Sequence, residues 1–368
     1  MIVLQVVPEL NAGGVEKTTL EIAEVLSNKG YDTHVVTKGG RLEKDFLRIG
    51  TKLHKTNIGS KNILSLFYRI SFIRKIIKLH GIQLVHARSR APAWPAYYAA
   101  RAEGIPFLTT YHGIYNSNSW LKDQYNSIMV KGKHIIANSN FTKDHIVHKH
   151  RVSPDKITVV PRGVDTEVFD PKKEENKKIK ELLSEWKVPV KNKIILLPGR
   201  LTKWKGQLIA VEALRYLPKD YTLVLMGDPQ GRKKYINEIY SKVAKLNLKK
   251  QFVILNHRLD VASAIAAADI VISASTDPEA FGRVMVEAQA MQKPVVATAH
   301  GGSLQTVLNK KTGFLIPPND PKALAVGIKK ACSWSNYNGK FARSHIKTQF
   351  STQNLKSKTL NVYKQLLK

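Results

Sequence analysis

The sequence is poor in cysteine and has no long apolar segment. Its single cysteine, Cys332, cannot form a disulfide within the chain. No stretch approaches the about 18–20 apolar residues that cross a bilayer, and the apolar opening, residues 1–7, is too short for a signal peptide. These absences argue against a disulfide-stapled secreted protein and an integral membrane protein. They predict a soluble cytoplasmic protein, and 368 residues suit two domains.

Acidic residues are also scarce, with 28 Asp and Glu against 59 Lys and Arg, a formal net charge of +31. Between Phe46 and Ala102 there is no acidic residue. This segment carries eleven basic residues: Arg48, Lys52, Lys55, Lys61, Arg69, Arg74, Lys75, Lys78, Arg88, Arg90 and Arg101. A general lysine bias accounts for part of the excess. The rest predicts a positive face on the N-terminal half, suited to nucleic acid, anionic lipid or a phosphorylated saccharide.

Short apolar runs alternate with helical patterns along the whole chain. In the first half the predicted strands are 2–7, 33–37, 53–57, 84–86, 107–110, 134–137 and 157–160. In the second half they are 193–197, 222–226, 252–255, 270–273, 295–297 and 313–316. Helical patterns between them, such as 15–28, 63–79 and 141–150, indicate βα units and parallel sheets covered on both faces.

The alternation of strand and helix patterns is interrupted at Asp165–Pro189, where a charged stretch indicates a linker. The sequence therefore predicts two Rossmann-like, doubly wound α/β domains facing each other across a cleft, over residues 1–168 and 169–350. In such sheets, ligands bind at the carboxyl ends of the strands.

The first loop of this kind holds the pair Gly13 and Gly14, between a strand and a helix. Such a pair lets the backbone approach an anion at the helix N-terminus. Glu16 stands where a Walker A loop needs glycine, and the spacing does not match the nicotinamide-binding G-x-G-x-x-G. An ordinary tight turn is the alternative.

A second loop, Pro198–Gly206, follows a strand in the second half. Arg200 and Lys205 are placed to flank a diphosphate, the arginine in bidentate fashion and the lysine as a point charge. A merely basic surface loop is the alternative.

The segment Pro278–Ala288 carries two glutamates eight positions apart, Glu279 before a predicted helix and Glu287 inside it. If the helix begins near Gly282, its free N–H groups face any anion held there. Carboxylates on either side of that anion suit the hydroxyls of two sugars. A capping acid with an incidental helical glutamate is the alternative.

Taken together, these loops resemble glycosyltransferase family four, which consists of retaining enzymes with the GT-B fold. The motifs that carry the likeness are Gly13-Gly14, Tyr111-His112-Gly113, Arg162-Gly163-Val164-Asp165, Gly199-Arg200 with Lys205-Gly206, Glu279 with Glu287, Gly301-Gly302 and Thr312-Gly313-Phe314-Leu315. The segments His86–Trp94 and Trp204–Gln207 further resemble a bacterial subgroup assigned to lipopolysaccharide or envelope-polysaccharide assembly. Many relatives carry a glutamate where this chain has Gln305, so a carboxylate role there is in doubt.

The resemblance implies a role for each matching residue. Gly13 and Gly14 would bring the backbone to the donor phosphates, and His112 would lie beside the transferring sugar. Arg200 and Lys205 would hold the diphosphate and stabilise its charge as the glycosidic bond breaks.

The glutamate segment would hold the two sugars of the donor. Glu279 would bind the hydroxyls of the transferred sugar and Glu287 those of the ribose. Phe281, Gly282 and Arg283 would contribute main-chain N–H groups. The resemblance also implies that a C-terminal helix, about 351–368, packs back on the first domain.

No metal and no cofactor are expected, because cations and N–H dipoles can stabilise a departing diphosphate and no Asp-x-Asp motif is present. The resemblance implies transfer by front-face attack, with the leaving phosphate taking the acceptor's proton, so that no separate base is needed. His112 as base is the alternative. The donor implied by the resemblance is a nucleotide-diphosphate sugar, with a UDP-sugar favoured by the family, and the loop Asn256–Arg258 is expected near the base. Arg88 and Arg90 are candidates for binding an anionic acceptor.

The acceptor expected from the resemblance is an envelope saccharide or glycolipid, reached by peripheral association with the anionic inner face of the cytoplasmic membrane. The pattern Ser71–Leu79 fits either a membrane-surface helix or a helix with its apolar face in the core. A soluble acceptor is the second reading. A basic polyanion- or nucleic-acid-binding protein is the third, although no specific nucleic-acid motif is present. Most of the histidines, including His145, His148 and His150, show no zinc spacing and are expected to be solvated.

Overall fold

The computed structural model describes residues 1–11, 13–115, 119–189, 191–256 and 258–368. Ala12 of the glycine-pair loop and His257 of the loop expected near the base lie outside the described residues. The chain forms two compact units. Unit 1 comprises Met1–Arg162 with Thr352–Lys368, and unit 2 comprises Gly163–Ser351.

Unit 1 is built on a seven-stranded sheet, paired in parallel throughout and ordered β3-β2-β1-β4-β5-β6-β7. Its strands are β1 (Ile2–Val6), β2 (Asp32–Thr37), β3 (Lys52–Lys55), β4 (Leu84–Ala87), β5 (Phe107–Tyr111), β6 (His134–Ala137) and β7 (Ile157–Val159). Its helices before the linker are α1 (Gly14–Ser27), α2 (Glu43–Arg48), α3 (Leu66–His80), α4 (Arg90–Ala102), α5 (Trp120–Ser127) and α6 (Asn140–His150). The strand order reverses between β1 and β4, so the loops after these two strands open at the topological switch point, where doubly wound sheets bind ligands.

The alternation of side chains along β1 shows why both faces of this sheet are covered. Leu4 and Val6 are fully buried among residues of α3 and α4, whereas Val3 is buried on the opposite face with residues of α1. Because successive side chains of a strand point to opposite faces, a continuous apolar run fills two cores at once.

The last helix of the chain, α15 (Thr352–Leu366), belongs to unit 1. Tyr363 is fully buried, and its hydroxyl lies 2.7 Å from Nδ1 of His86. Lys356 at the edge of this contact forms an ion pair of 2.6 Å with Glu24 of α1. The C-terminal helix therefore completes the core on one face of the first sheet.

Unit 2 repeats the design with a six-stranded parallel sheet ordered β10-β9-β8-β11-β12-β13. Its strands are β8 (Lys193–Pro198), β9 (Tyr221–Met226), β10 (Phe252–Leu255), β11 (Ile270–Ser273), β12 (Val295–Thr298) and β13 (Gly313–Ile316). Its helices are α7 (Asn176–Glu185), α8 (Gln207–Ala213), α9 (Lys233–Lys245), α10 (Val261–Ala267), α11 (Arg283–Ala290), α12 (Ser303–Thr306), α13 (Pro321–Cys332) and α14 (Gly339–Phe350). The predicted class, two doubly wound α/β sheets, is confirmed, and each predicted strand is present with its ends shifted by two residues at most.

The two compact units divide after Arg162, six residues before the boundary predicted at residue 168. The main-chain N–H of Val164 donates to the carbonyl of Phe350 at 2.8 Å. The guanidinium of Arg343, on α14, donates to the carbonyls of Thr166 and Phe169. These hydrogen bonds hold the start of the predicted linker within unit 2. They join residues distant in sequence, so composition could not reveal them.

The predicted positive face is smaller than the basic residues between Phe46 and Ala102 suggest. Arg69 and Arg88 are buried. The Arg69 guanidinium donates to four backbone carbonyls, those of Ile58, Ser60, Asn62 and Ser65. A buried arginine needs such partners, because an unpaired buried charge is strongly unfavourable. These two arginines therefore lie in the interior of unit 1 and do not contribute to a positive surface.

Helix α3 uses the pattern Ser71–Leu79 mainly for the core. Ile73, Ile76 and Ile77 are buried against the first sheet, while Leu79 is exposed. The core-facing alternative for this pattern is thus confirmed. None of the helices in the described ranges is both long and apolar enough to span a membrane.

Of the three histidines of α6 that were expected to be solvated, only His148 is. His148 is exposed, whereas His145 and His150 are half-buried with their rings against Tyr111. Packing on an aromatic ring, which helical spacing alone does not reveal, accounts for the difference.

Candidate active site

The loop between β8 and α8 brings the predicted Arg200 and Lys205 to the carboxyl end of the second sheet. Two glycines at positive φ shape it, Gly199 at 150° and Gly206 at 71°. A Cβ on Gly206 would lie 1.8 Å from the carbonyl oxygen of Ala274, so no other residue fits without displacing the backbone. The Gly-Arg…Lys-Gly motif therefore folds tightly against the end of β11.

Lys205 pairs with Glu279, which the sequence places 74 residues away. The distance from Nζ to Oε1 is 2.8 Å, and the two side chains are only 14% and 13% exposed. The hydroxyls of Ser273 and Ser275 donate to the same Oε1, at 3.1 and 2.6 Å. A cation and a carboxylate are thus held rigidly together just beyond the end of β11.

The electrostatics of this pair keep the carboxylate ionised. Burial alone would raise the pKa of Glu279, but the charge of Lys205 and hydrogen bonds from Lys205, Ser275 and Ser273 outweigh it and lower the pKa. Because a pKa below the ordinary range favours the anion, Glu279 acts as a hydrogen-bond acceptor and not as an acid at neutral pH.

Trp204 organises the two cations of the loop. Nζ of Lys205 lies 4.5 Å from the centroid of the Trp204 ring, and Cζ of Arg200 lies 5.9 Å from it. Cations over an indole are attracted by its π-electron density. The indole therefore holds two positive charges beside each other, the arrangement that a diphosphate requires.

Helix α11 begins at Arg283, next to this pair, with Gly282 as its N-cap at a φ of 80°. The first N–H groups of a helix have no intrahelical partner and carry partial positive charge. The Phe281 side chain is buried and packs edge-on against Phe350, so only its main chain can meet a ligand. The N-terminus of α11 thus offers the N–H groups predicted for Phe281, Gly282 and Arg283.

Glu287 lies in the second turn of α11 and is largely buried. Its Oε1 accepts a hydrogen bond of 2.6 Å from Nε of Arg283, one turn earlier. The carboxylate that the sequence assigns to the ribose is therefore already oriented by a cation.

Close packing explains why residues 301 and 302 are both glycine. A Cβ on Gly301 would lie 2.4 Å from the carbonyl oxygen of Glu279, and one on Gly302 would lie 2.4 Å from Cα of Phe281. The Gly302 N–H donates to the Glu279 carbonyl at 2.7 Å. The two glycines thus allow their loop to pack directly on the backbone that carries the candidate site.

In unit 1, Gly14 and His112 meet around a third residue, Arg162. A Cβ on Gly14 would lie 2.6 Å from Nη1 of Arg162, while Nη2 lies 3.4 Å from Nδ1 of His112. Burial first, and then the charges of Arg162 and Arg88, lower the pKa of His112 well below its ordinary value. His112 is consequently a neutral imidazole and a weak base.

The two acceptor candidates differ in their placement. Arg88 is buried, and its Nε donates to Oε1 of Gln5 at 2.9 Å. Arg90 lies at the start of α4, where Nη1 donates to Asn126 at 2.7 Å and the guanidinium lies 4.4 Å from the Tyr115 ring centroid. Contact with an acceptor stays a prediction for both, and the half-buried Arg90 is the better placed of the two.

Comparison with known proteins agrees with this geometry. The family model described as Glycosyltransferase Family 4 matches residues 12–168, and the model described as Glycosyl transferases group 1 matches residues 178–347. A glycosyltransferase crystal structure from Rickettsia africae ESF-5 superposes with a TM-score of 0.91 and is 38% identical, over 100% of this chain and 98% of that one. The chain belongs to glycosyltransferase family four. Its two parallel-sheet units are those of the GT-B fold.

Two curated relatives of this family-four glycosyltransferase differ in the length of chain over which they match it. The UDP-Gal:alpha-D-GlcNAc-diphosphoundecaprenol alpha-1,3-galactosyltransferase of Escherichia coli is 26% identical over 335 residues, covering 86% of this chain and 84% of the relative. The D-inositol 3-phosphate glycosyltransferase of Xylanimonas cellulosilytica is 32% identical over 194 residues, 52% of this chain. That match spans only 46% of the relative's length.

In each unit of the glycosyltransferase, the candidate residues have partners that the sequence did not assign. Ser273 and Ser275 bind Glu279, Trp204 supports the cations, and Arg162 lies between Gly14 and His112. Trp204 and Arg162 lie inside motifs that carry the family resemblance, so the sequence marked both positions as candidates. Ser273 and Ser275 are two residues apart at the end of β11, so their side chains are expected on the same side of the chain. This spacing was a weaker sequence indication of a shared partner.

Proposed function

We propose that this protein transfers a sugar, with retention of anomeric configuration, from a nucleoside-diphosphate sugar to a lipid-linked or envelope saccharide acceptor. The observation that carries the proposal is the buried pair of Lys205 and Glu279 beside the N-terminus of α11. It combines a cation for a departing diphosphate with a carboxylate for a sugar hydroxyl.

The diphosphate would lie between Lys205, Arg200 and the N-terminus of α11. As the bond from C1 of the sugar to the phosphate oxygen breaks, negative charge grows on the leaving diphosphate. Cations and N–H dipoles already in place stabilise that charge without reorganisation. We therefore propose a metal-independent reaction, since these groups supply the positive charge that a divalent ion would otherwise provide.

The two glutamates would divide the recognition of the donor. The hydrogen bonds found from the described residues to the side-chain carboxylate of Glu279 end on Oε1, which leaves Oε2 for hydroxyls of the transferred sugar. Glu287, oriented by Arg283, would accept from the ribose hydroxyls. Both carboxylates are ordered before the donor binds, so little entropy is lost in placing them.

The acceptor oxygen would form its bond to C1 on the face from which the diphosphate departs. Its proton would pass to the leaving phosphate oxygen, so that atoms and charges balance without a protein base. The low pKa of His112 favours this route over proton abstraction by the imidazole. His112 would instead make a hydrogen bond to the transferring sugar.

The donor class can be measured by calorimetric titration of the protein with UDP, GDP, ADP and CMP in the presence of EDTA. We expect selective binding of one nucleoside diphosphate that persists in EDTA, because lysine, arginine and N–H groups hold the phosphates. UDP is favoured, since the Escherichia coli relative is named for a UDP-galactose donor.

The control for this titration is Glu287→Ala, which should weaken that binding. Weak binding of every nucleotide that disappears with added salt would instead support a non-specific polyanion-binding surface. A strict requirement for a divalent ion would contradict the metal-free part of the proposal.

The acceptor side of the proposal rests on an exposed apolar surface of unit 1. Ile63 and Leu64 before α3, and Phe67 and Tyr68 in its first turn, are exposed, with Leu64 at 87% and Phe67 at 77%. The start of α5 exposes Trp120 and Leu121 in the same way. Ile63 and Leu121 line one hollow of about 410 Å³. We call these six residues the apolar rim.

An anionic membrane is the occupant that fits the apolar rim. Lys61 and Lys122 line the same hollow, so cationic groups border the exposed aromatic and aliphatic side chains. This combination suits a lipid interface, where apolar groups enter the acyl boundary and lysines meet anionic head groups. We propose that the protein binds the inner face of the cytoplasmic membrane to reach a lipid-anchored acceptor.

Sedimentation with vesicles of phosphatidylglycerol and phosphatidylcholine tests this surface. Phe67→Glu combined with Leu64→Glu should abolish most of the binding, because it places two anions among apolar side chains at an anionic surface. Both residues are exposed, so the fold should survive. The matched control is Leu259→Glu in unit 2, since Leu259 is 92% exposed and lies outside the rim.

Binding lost equally in the Leu259→Glu control would show that net charge, and not the rim, drives the association. Vesicle binding that is absent in the native protein would favour a soluble acceptor.

A further inference from the structure

Three histidines of unit 1 lie together, away from the glycine loops. His34 is in β2, His54 is in the neighbouring edge strand β3, and His80 is the last residue of α3. One ring nitrogen of each lies within 4.8 Å of the others. The three residues are far apart along the chain, so no zinc-type spacing announces the cluster.

The sheet register explains how the cluster forms. His34 pairs with Lys52 and Val36 with His54, so His34 and His54 point to the same face of the parallel pair. That face also carries Val36, which packs against α3 in the core. The end of α3 thereby delivers His80 to the two strand histidines.

The ring geometry is suited to metal ligation. Nδ1 of His34 and Nε2 of His54 are 3.0 Å apart. Two nitrogens bound to one tetrahedral Zn²⁺ at about 2.0–2.1 Å each are separated by about 3.3 Å. The ring centroid of His80 lies 4.6 Å from that of His34 and 5.2 Å from that of His54. The planes of the His34 and His54 rings differ by 4°, so side-chain rotations would be needed to direct all three rings at one ion.

The two ring nitrogens of His34 differ in their surroundings. Nδ1 faces Nε2 of His54, while Nε2 is buried without a hydrogen-bond partner among the described residues. The nitrogen of His34 that would bind the ion is therefore Nδ1.

Charges of both signs border the cluster. Lys52 and Asp32 face it and form an ion pair of 3.4 Å with each other. Lys55 and Lys75 line the hollow beside it. His80 ends α3, so the carbonyl end of the helix, which carries partial negative charge, lies at the cluster and favours a cation there.

We propose that His34, His54 and His80 form a binding site for a divalent transition metal of the kind that prefers imidazole, with Zn²⁺ as the first candidate. The ion would tie the two outer strands of the first sheet to the C-terminal end of α3, with water completing a tetrahedral shell. Imidazole ligands suit zinc and its neighbours better than calcium or magnesium, which prefer oxygen. The site involves the middle of β2, the edge strand β3 and the last residue of α3, and none of its three histidines is assigned to sugar transfer.

Calorimetry of the full chain, stripped with EDTA and dialysed, tests the site with Zn²⁺ alone. We expect one high-affinity ion per chain and a higher Tm when it is bound, because a ligand that binds only the folded state stabilises it. Co²⁺ should bind in the same place and show the visible band of tetrahedral coordination. His54→Ala and His80→Ala should each weaken Zn²⁺ binding at least about tenfold and abolish the Tm shift, since each removes one ligand.

The matched control is His148→Ala, which removes an exposed histidine outside the cluster. It should bind Zn²⁺ as the native protein does. His54 and His80 are only half-buried, so their variants should fold, and unchanged nucleotide titration would verify this. Equal loss of Zn²⁺ binding in His148→Ala, or unchanged binding in both cluster variants, would overturn the proposal.

Discussion

Replacing Lys205 by alanine should reduce the rate of sugar transfer by about 10²–10³-fold, the usual effect of removing one preplaced group that stabilises transition-state charge. Lys205 is held by Glu279 and Trp204 in the proposed diphosphate site. Its charge would be used most fully when the diphosphate departs, so the rate constant should fall more than the donor affinity.

The measurement is steady-state kinetics with the donor found by calorimetry, together with thermal unfolding. The thermal-unfolding measurement is needed because loss of Lys205 leaves the largely buried carboxylate of Glu279 without its ion-pair partner. Such a loss can cost about 3–5 kcal/mol of stability. Lys205→Met fills the same space and separates packing from charge. Lys203→Ala is the control, because Lys203 is exposed in the same loop and pairs with Glu238. A folded Lys205→Met protein with near-normal turnover would remove the diphosphate clamp from the mechanism.

Glu287→Ala should weaken the binding of free nucleoside diphosphate by about 10–100-fold, since hydrogen bonds to charged groups contribute about 1.5–3 kcal/mol. Glu279→Gln should leave the affinity for the free nucleotide nearly unchanged and weaken that for the nucleotide sugar. The reason is the division proposed above, with the ribose on Glu287 and the transferred sugar on Glu279.

Calorimetry with the nucleotide and with its sugar derivative measures both affinities. Arg283→Ala is the matched control for Glu287→Ala, because it removes the partner of Glu287 but keeps the carboxylate and the main-chain N–H. If the two glutamate variants bound free nucleotide equally, the proposed division between sugar and ribose would be wrong.

Much of the fold could be read from the chain because its signals are local. Val- and Ile-rich runs followed by helical patterns located every strand of both sheets, and their ends moved by two residues at most. Ends are harder to place because a strand stops where its neighbour's hydrogen bonding stops. The boundary at Arg162 depended on hydrogen bonds to Phe350 and from Arg343, which no local pattern contains.

The candidate site divides in the same way. The start of α11 after Gly282 follows from the glycine and the helical pattern behind it. The position of Lys205 against Glu279 follows only from the pairing of β8 with β11, which brings the loops after the two strands together. The burial of Arg88 among core residues could not be distinguished by sequence from surface charge.

By itself the sequence determined the two doubly wound sheets, the glycine loops and the residue types able to hold a diphosphate sugar, because periodicity and turn chemistry act over a few residues. The tertiary structure alone decided which charges are paired, which arginines are buried and which histidines meet. His34, His54 and His80 show the reason: strand register and the end of a distant helix bring them together, and neither can be read from the spacing of residues along the chain.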